Sequence, residues 1–168
     1  MNKPTIHLTD FRQLAHQLEG ELHADETMRR LYSTDASEYQ EMPVAVALPK
    51  SKPDVRELVK FASKHRLGLI PRGAGTSLAG QVVGNGIVVD MGRYINSILS
   101  YDETSHRVRV QPGVVRDELN LYLKPHGVFF TPETSTANRA MVGGMVGNNS
   151  CGANSIVYGT TREHLVSA

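Results

Sequence analysis

Two stretches almost free of bulky side chains constrain this chain more than any other feature. The first is Pro71-Arg72-Gly73-Ala74-Gly75-Thr76-Ser77-Leu78-Ala79-Gly80. The second, about seventy residues later, is Gly143-Gly144-Met145-Val146-Gly147-Asn148-Asn149-Ser150-Cys151-Gly152. Glycine lets the backbone take positive φ and approach a ligand closely. Successive N–H groups in such turns form a concave nest for phosphate oxygens, each charge-assisted hydrogen bond contributing about 1.5–3 kcal/mol. Two such stretches suit a long, thin, anionic ligand held mainly by main-chain donors, and a dinucleotide fits that description. Thr76 and Ser77 add hydroxyl donors. Arg72 could neutralise charge, although a structural or solvated arginine is the commoner role.

Two familiar phosphate-binding motifs fail on spacing. A P-loop needs Gly-Lys followed by Ser or Thr, and no lysine follows Gly75 or Gly80. A dinucleotide fingerprint of the Rossmann type needs a third glycine where Leu78 stands, and its loop must open directly into a helix. Asp90, at the end of an expected strand, sits where a ribose-binding acid would be sought, but the loop before it argues against that reading.

The 168 residues suffice for one domain with a real core. Eighteen Lys plus Arg against 17 Asp plus Glu leave a net charge of +1, which supplies no electrostatic reason for nucleic acid or an anionic membrane. The single cysteine, Cys151, excludes an internal disulfide and a cysteine-ligated iron–sulfur cluster. It is expected to be a small buried thiol. The seven histidines show no His-x-x-x-His pair, so no metal site is legible. Residues 1–13 lack the apolar core of a signal peptide, and no run has the length of a membrane span. A soluble cytoplasmic protein is the expectation, and peripheral membrane docking is compatible with it. Asn148-Asn149-Ser150 formally matches a glycosylation acceptor, discounted for want of a signal sequence.

Along the chain, Asp10 and Gln13 are spaced like a capping box, and the pattern predicts a helix over 10–19. A second is expected over 25–31. Val44-Ala45-Val46-Ala47-Leu48 reads as a buried strand. Ser51 is placed as an N-cap, Val55, Leu58, Val59 and Ala62 form one apolar helical face, and Gly68 is placed to end that helix. Leu69-Ile70 is then a strand, so strand, helix and strand favour a parallel pair with a crossover. Gly86 to Asp90 is another buried strand. Two strands, 97–101 and 107–111, flank a polar turn, a helix runs from Val115 to about Gly127, and Val128-Phe129-Phe130 is a short strand.

The stretch 71–80, the strand Ile87-Val88-Val89-Asp90, Pro132-Glu133-Thr134, Val142 to Asn149, Gly152 and Tyr158-Gly159 occur in an order that is specific as a set. Together they resemble the FAD-binding domain of the vanillyl-alcohol oxidase and p-cresol methylhydroxylase (PCMH) type. The branch nearest in pattern is that of the glycolate oxidase and D-lactate dehydrogenase-like flavoproteins. The resemblance covers roughly Tyr32 to the end. It implies an α+β chain containing the first α/β subdomain of the PCMH-type fold and the beginning of the second. Residues 1–41 are then a helical lead-in and 42–168 an incomplete FAD-binding domain.

The resemblance also implies roles. The loop of Arg72, Gly73, Ala74, Gly75, Thr76 and Ser77, with Gly80, wraps the FAD pyrophosphate. Pro132, Glu133, Thr134, Ser135, Gly143, Gly144, Asn148 and Gly152 line the cofactor toward the flavin, and Tyr158 and Gly159 match a motif near it. For Gly143-Gly144, tight packing of a helix end is the competing role, and for Tyr158 a plain core position. The histidine that carries covalent FAD in some members is matched by Thr76, so FAD is expected to be non-covalent. Family members continue into a cap domain with the substrate-binding and catalytic groups, and residues 162–168 read as the lead-in to another strand. The chain is therefore expected to be an amino-terminal portion with no catalytic residue of its own. Within an intact enzyme, a 2-hydroxy acid such as D-lactate or glycolate would give hydride to FAD, with electrons passing on to a separate acceptor. A non-catalytic module lacking a complete flavin site is the alternative from another class. UDP-N-acetylmuramate reductases share the architecture but match the second glycine segment less well.

Overall fold

The computed structural model describes residues 7–168. It divides between Tyr94 and Ile95 into two compact units. The first holds a four-stranded sheet: β1 (Glu21–His23), β2 (Ala45–Leu48), β3 (Leu69–Arg72) and β4 (Ile87–Asp90), in the order β1-β2-β4-β3. β4 is parallel to both β2 and β3, while β1 is antiparallel to β2. The expected crossover therefore exists, but β4 is inserted between the two strands it connects. Every residue of β2 is buried, and so are Ile87, Val88 and Val89 of β4. Continuous apolar strands of this kind belong in a sheet covered on both faces.

The helices of this unit are α1 (Leu8–Ala15), α2 (Glu26–Leu31) and α3 (Lys52–His65). α1 starts before the expected position, with Asp10 in its first turn accepting the His7 N–H at 2.9 Å. α2 begins where Asp25 accepts the N–H of Met28, and α3 where Ser51 accepts that of Asp54. Two expectations for α3 need correction. It ends at Arg66, in the left-handed region at φ 54°, before Gly68 is reached. Its buried face carries Asp54, Leu58 and Ala62, whereas Val59 is 50% exposed. A carboxylate at the head of the apolar stripe hid its true orientation. The close approach here belongs to Gly86, where a Cβ would lie 2.3 Å from the Gly68 carbonyl oxygen, so the bare backbone at 86 lets β4 start beside β3.

The core of the first unit joins Phe11 and Leu14 of α1 to Ala45, Ala47, Leu58, Ile87 and Val89. The segment read as a helical lead-in thus also supplies a strand and core side chains. Asp54 ties its turn in place. The N–H groups of Glu19, Gly20 and Lys50 donate to its carboxylate at 2.9, 3.0 and 2.8 Å. Gly20 has no room for a side chain, since a Cβ there would stand 2.2 Å from the Leu48 carbonyl oxygen.

The second unit begins with a hairpin, β5 (Ile98–Asp102) and β6 (Arg107–Val110), bulged between Ile98 and Ser100. α4 (Arg116–Leu123) passes into a 3₁₀ turn that ends at Gly127, φ 70°. Val114, Leu119 and Leu123 form the core, with Ile98, Tyr101, Val108, Val110, Val128, Phe130 and Val142 packed on it. The strand expected at 128–130 is an extended segment without a ladder. The Asn120 amide replaces the missing neighbour, accepting from Phe130 N at 2.7 Å and donating to Phe130 O at 3.2 Å. α5 (Val142–Asn148), α6 (Ser155–Tyr158) and a 3₁₀ turn over Thr161–His164 complete the unit.

Candidate functional site

In the first unit the loop leaves the carboxyl end of β3, the end at which parallel sheets commonly present ligand sites. Gly75 and Gly80 turn it at φ 68° and 72°. The loop is braced from the segment that reads in sequence only as a polar turn. Arg72 Nη1 donates to Thr34 O at 2.7 Å, and Ala36 N donates to Gly75 O at 3.0 Å. The Tyr39 ring lies where a Cβ on Gly80 would come within 2.8 Å of it. Against these anchors, the six N–H groups from Gly73 to Leu78 donate to no other group among the described residues, and neither do the Thr76 and Ser77 hydroxyls. The loop contains no carboxylate. A run of unengaged donors on a loop without carboxylates of its own has the chemistry of an anion cradle, so the residues present fit a diphosphate.

Asp90 is otherwise engaged. Tyr32 Oη donates to its Oδ2 at 2.7 Å and Gly92 N to its Oδ1 at 2.7 Å. Burial first, and then the bond to Asp90, push the Tyr32 phenol well above its ordinary range. Each carboxylate oxygen of Asp90 thus accepts one protein donor. Tyr32, Thr34, Ala36 and Tyr39 have no sequence signature, because nothing in local spacing places residues 32–39 against a loop forty positions later.

In the second unit the residues expected near the cofactor separate into two kinds. Several glycines answer to packing. A Cβ on Gly143 would come within 2.5 Å of Pro112 Cβ, and one on Gly152 within 2.8 Å of Glu133 O. Gly159, at φ 79°, faces the Glu163 carboxylate that accepts the Thr160 N–H. Pro132 is buried and its carbonyl accepts Arg116 Nε at 3.1 Å. Glu133 Oε2 accepts Asn154 Nδ2 at 2.8 Å, which joins 132–135 to the segment after α5. Thr134 accepts the Ala137 N–H, and Ser135 is exposed. Tyr158 is not a core residue: it is exposed, with its ring edge-on to Phe129 at 5.8 Å.

Gly144 and Gly147 are the other kind. They are exposed, three residues apart on α5, and a Cβ on either would meet nothing within 4 Å. Met145 is the residue of this helix that anchors it in the core. Each helical glycine costs about 1 kcal/mol relative to alanine, and no packing contact in the fold requires these two. Asn148 is exposed at the same helix end, its Nδ2 reaching Ser150 Oγ at 3.5 Å.

Cys151 corrects the expected buried thiol, because it is exposed and free. The loop around it is fixed by other groups, Gly152 N on Ser155 Oγ and Thr161 Oγ1 on Ser150 O. The native chain should therefore react stoichiometrically with a thiol reagent under non-denaturing conditions, and Cys151→Ser should leave FAD affinity within about twofold of the parent. A thiol that reacts only after unfolding would contradict this placement.

Among the described residues no cluster of metal-ligating side chains occurs, and no helix is long and apolar enough to cross a membrane. A parallel β2-β4-β3 core with a glycine loop and free donors at its carboxyl end, in a mixed α/β chain, has the chemistry to hold a nucleotide cofactor. The chain belongs to the FAD binding domain family, whose model matches residues 43–168, and FAD is accordingly its cofactor. D-2-hydroxyglutarate dehydrogenase of Pseudomonas putida is 44% identical over 150 residues, covering 88% of this chain and 15% of that protein. Glycolate oxidase subunit GlcD of Bacillus subtilis is 32% identical over 161 residues, covering 94% of this chain and 34% of that protein. The chain thus spans a minor part of the length of both relatives. The solved structure of an alkyldihydroxyacetonephosphate synthase superimposes with a TM-score of 0.81 over 99% of this chain and 36% of its own, at 24% identity. At that identity the likeness shows the fold, which is the PCMH-type FAD-binding fold the motifs implied.

Proposed function

We propose that this chain is the FAD-holding portion of an oxidoreductase that oxidises a small 2-hydroxy acid. The observation that carries the cofactor role is the run of six unengaged N–H groups from Gly73 to Leu78 on a loop without carboxylates. In this reading those donors, with Thr76, Ser77 and Gly80, hold the diphosphate. Pro132 to Ser135, the bare α5 face at Gly144 and Gly147, Asn148, Gly152 and the Tyr158-Gly159 turn serve the rest of the cofactor. Gly143, Gly152 and Gly159 contribute by shaping the backbone. FAD is held non-covalently, since Thr76 offers no imidazole for a covalent link. When bound, FAD supplies the hydride acceptor, and this chain's own residues bind and orient it.

The relatives named for D-2-hydroxyglutarate and glycolate support a 2-hydroxy acid as the substrate class. Substrate-binding groups, the route to an electron acceptor or a membrane-associated partner, and a cytoplasmic location belong to the longer protein in this reading. Residues 42–168 are the FAD-binding part and 1–41 its lead-in.

The test is FAD titration of the chain, followed by flavin fluorescence and absorbance, beside Gly147→Leu. The parent should take up FAD stoichiometrically and lose it on acid precipitation, as a non-covalent cofactor does. Gly147→Leu should keep or raise the stability of the cofactor-free chain, by about 0.5–1 kcal/mol, from helix propensity in open space. It should also weaken FAD binding at least about tenfold, because its side chain covers the bare helix face. Unchanged FAD affinity would remove α5 from the site, and a chain that takes up no FAD would favour the non-catalytic module.

A further inference from the structure

We propose that Arg72 is a positioning residue for the diphosphate loop, acting on Gly75 from within the protein and not as a cation on the phosphates. This inference rests on the loop being the diphosphate site. Arg72 ends β3, its register partner being Asp90 of β4. From there its guanidinium turns back under the loop it precedes. Nη2, Cζ and Nε lie 2.5, 3.0 and 3.2 Å from the point a Cβ on Gly75 would occupy, so the planar group lies against the bare Cα. Nη1 donates to Thr34 O at 2.7 Å, and Cζ is 5.2 Å from the centroid of the Tyr32 ring. That ring is itself held, through its hydroxyl, by Asp90. The contacts form a closed circuit: β3 to Arg72, Arg72 to Tyr32, Tyr32 to Asp90, and Asp90 back across the sheet to Arg72.

The circuit needs the particular shape of arginine. A guanidinium can stack flat on a backbone and on an aromatic ring while donating in its plane, and an ammonium cannot. It needs glycine at 75 as well, both for φ 68° and for the space the guanidinium fills. The Ala36 N–H on Gly75 O fixes the same residue from the same neighbouring segment. A loop held this way presents its donors already arranged, so binding forgoes part of the ordering cost that a loose loop would carry.

The test compares Arg72→Lys, which keeps the charge, with Arg72→Met, which keeps bulk and removes it. Both cofactor-free variants, checked as folded by far-UV circular dichroism, should show faster amide exchange than the parent at Ala36, whose N–H is held by Gly75 O. Exchange in β2 and β4 should be unchanged. Both should weaken FAD binding by a similar factor, about tenfold or more, from loss of one hydrogen bond and one stacked contact. The dependence of FAD affinity on salt should be the same in Arg72→Met as in the parent, because a charge pair with the diphosphate would be screened. Parent-like affinity in Arg72→Lys, with a weakened and salt-insensitive Arg72→Met, would overturn the proposal and make Arg72 a phosphate ligand. Unaltered Ala36 exchange in both variants would also overturn it. Failure of FAD to protect 73–78 in the parent would refute the loop assignment instead, while the exchange comparison without cofactor still reads the brace.

Discussion

Gly75→Val should abolish measurable FAD binding, weakening it at least about 100-fold, in a chain whose sheet remains folded. The left-handed backbone at φ 68° costs a non-glycine residue about 1–2 kcal/mol, and a β-branched residue more. The new Cβ would also begin 2.5 Å from Arg72 Nη2. Relief comes from moving Arg72, which releases Thr34, or from flipping the loop, which breaks Ala36 N to Gly75 O. Either route disperses the donors from Gly73 to Leu78. The side chain does its damage beneath the loop, so the loss is one of arrangement and not of occupied phosphate space. β2 and the buried Ile87, Val88 and Val89 of β4 take part in none of these contacts, and far-UV circular dichroism should match the parent. Calorimetric FAD binding at the parental affinity would remove this loop from the cofactor site.

The second large effect is on stability. Asp54→Ala should lower unfolding free energy by about 3–5 kcal/mol at pH 7. The residue is 2% exposed, and its removal leaves the N–H groups of Glu19, Gly20 and Lys50 without their acceptor. Burial by itself would raise this carboxyl, but hydrogen bonds from Lys50, Glu19, Gly20 and Ser51 outweigh it and hold the group below its ordinary range. A lowered folded value means that the unfolded chain takes up the proton first as pH falls. The associated stability is therefore complete above about pH 4, the unfolded carboxyl range, and is lost as pH descends through the lower folded value. Urea denaturation of parent and variant at neutral pH and in acid reads both parts. The gap between them should be widest near neutrality and should narrow in acid. A gap that is small at pH 7, or that widens in acid, would contradict this account of the turn.

Much of the architecture is legible because it follows from local rules. Ser51 and Asp25 are read as helix starts, since an oxygen that accepts an N–H two or three residues on works in any context. β2 and β4 are read as buried strands because uninterrupted Ala, Val, Ile and Leu leave no face for water. The errors fall where a residue's role depends on a distant partner. Asp54 belongs to the buried stripe of α3 because three N–H groups meet it there. β1 escapes periodicity because three residues are too few to show alternation, and Phe130 is held by Asn120 rather than by a strand.

The site divides in the same way. Glycine-rich composition, the order of the motifs and the lack of acids between 71 and 80 belong to the chain as written, since they follow from which side chains are missing. Composition does not distinguish a glycine that admits a ligand from one that admits the protein itself. Gly143 and Gly144 are neighbours with identical chemistry, yet one backs onto Pro112 and the other faces open space. Only tertiary packing makes that distinction, because the room available to a Cβ is set by residues remote in sequence. The same holds for Arg72, whose partners at 32 and 34 reach it through the folded sheet and not along the chain.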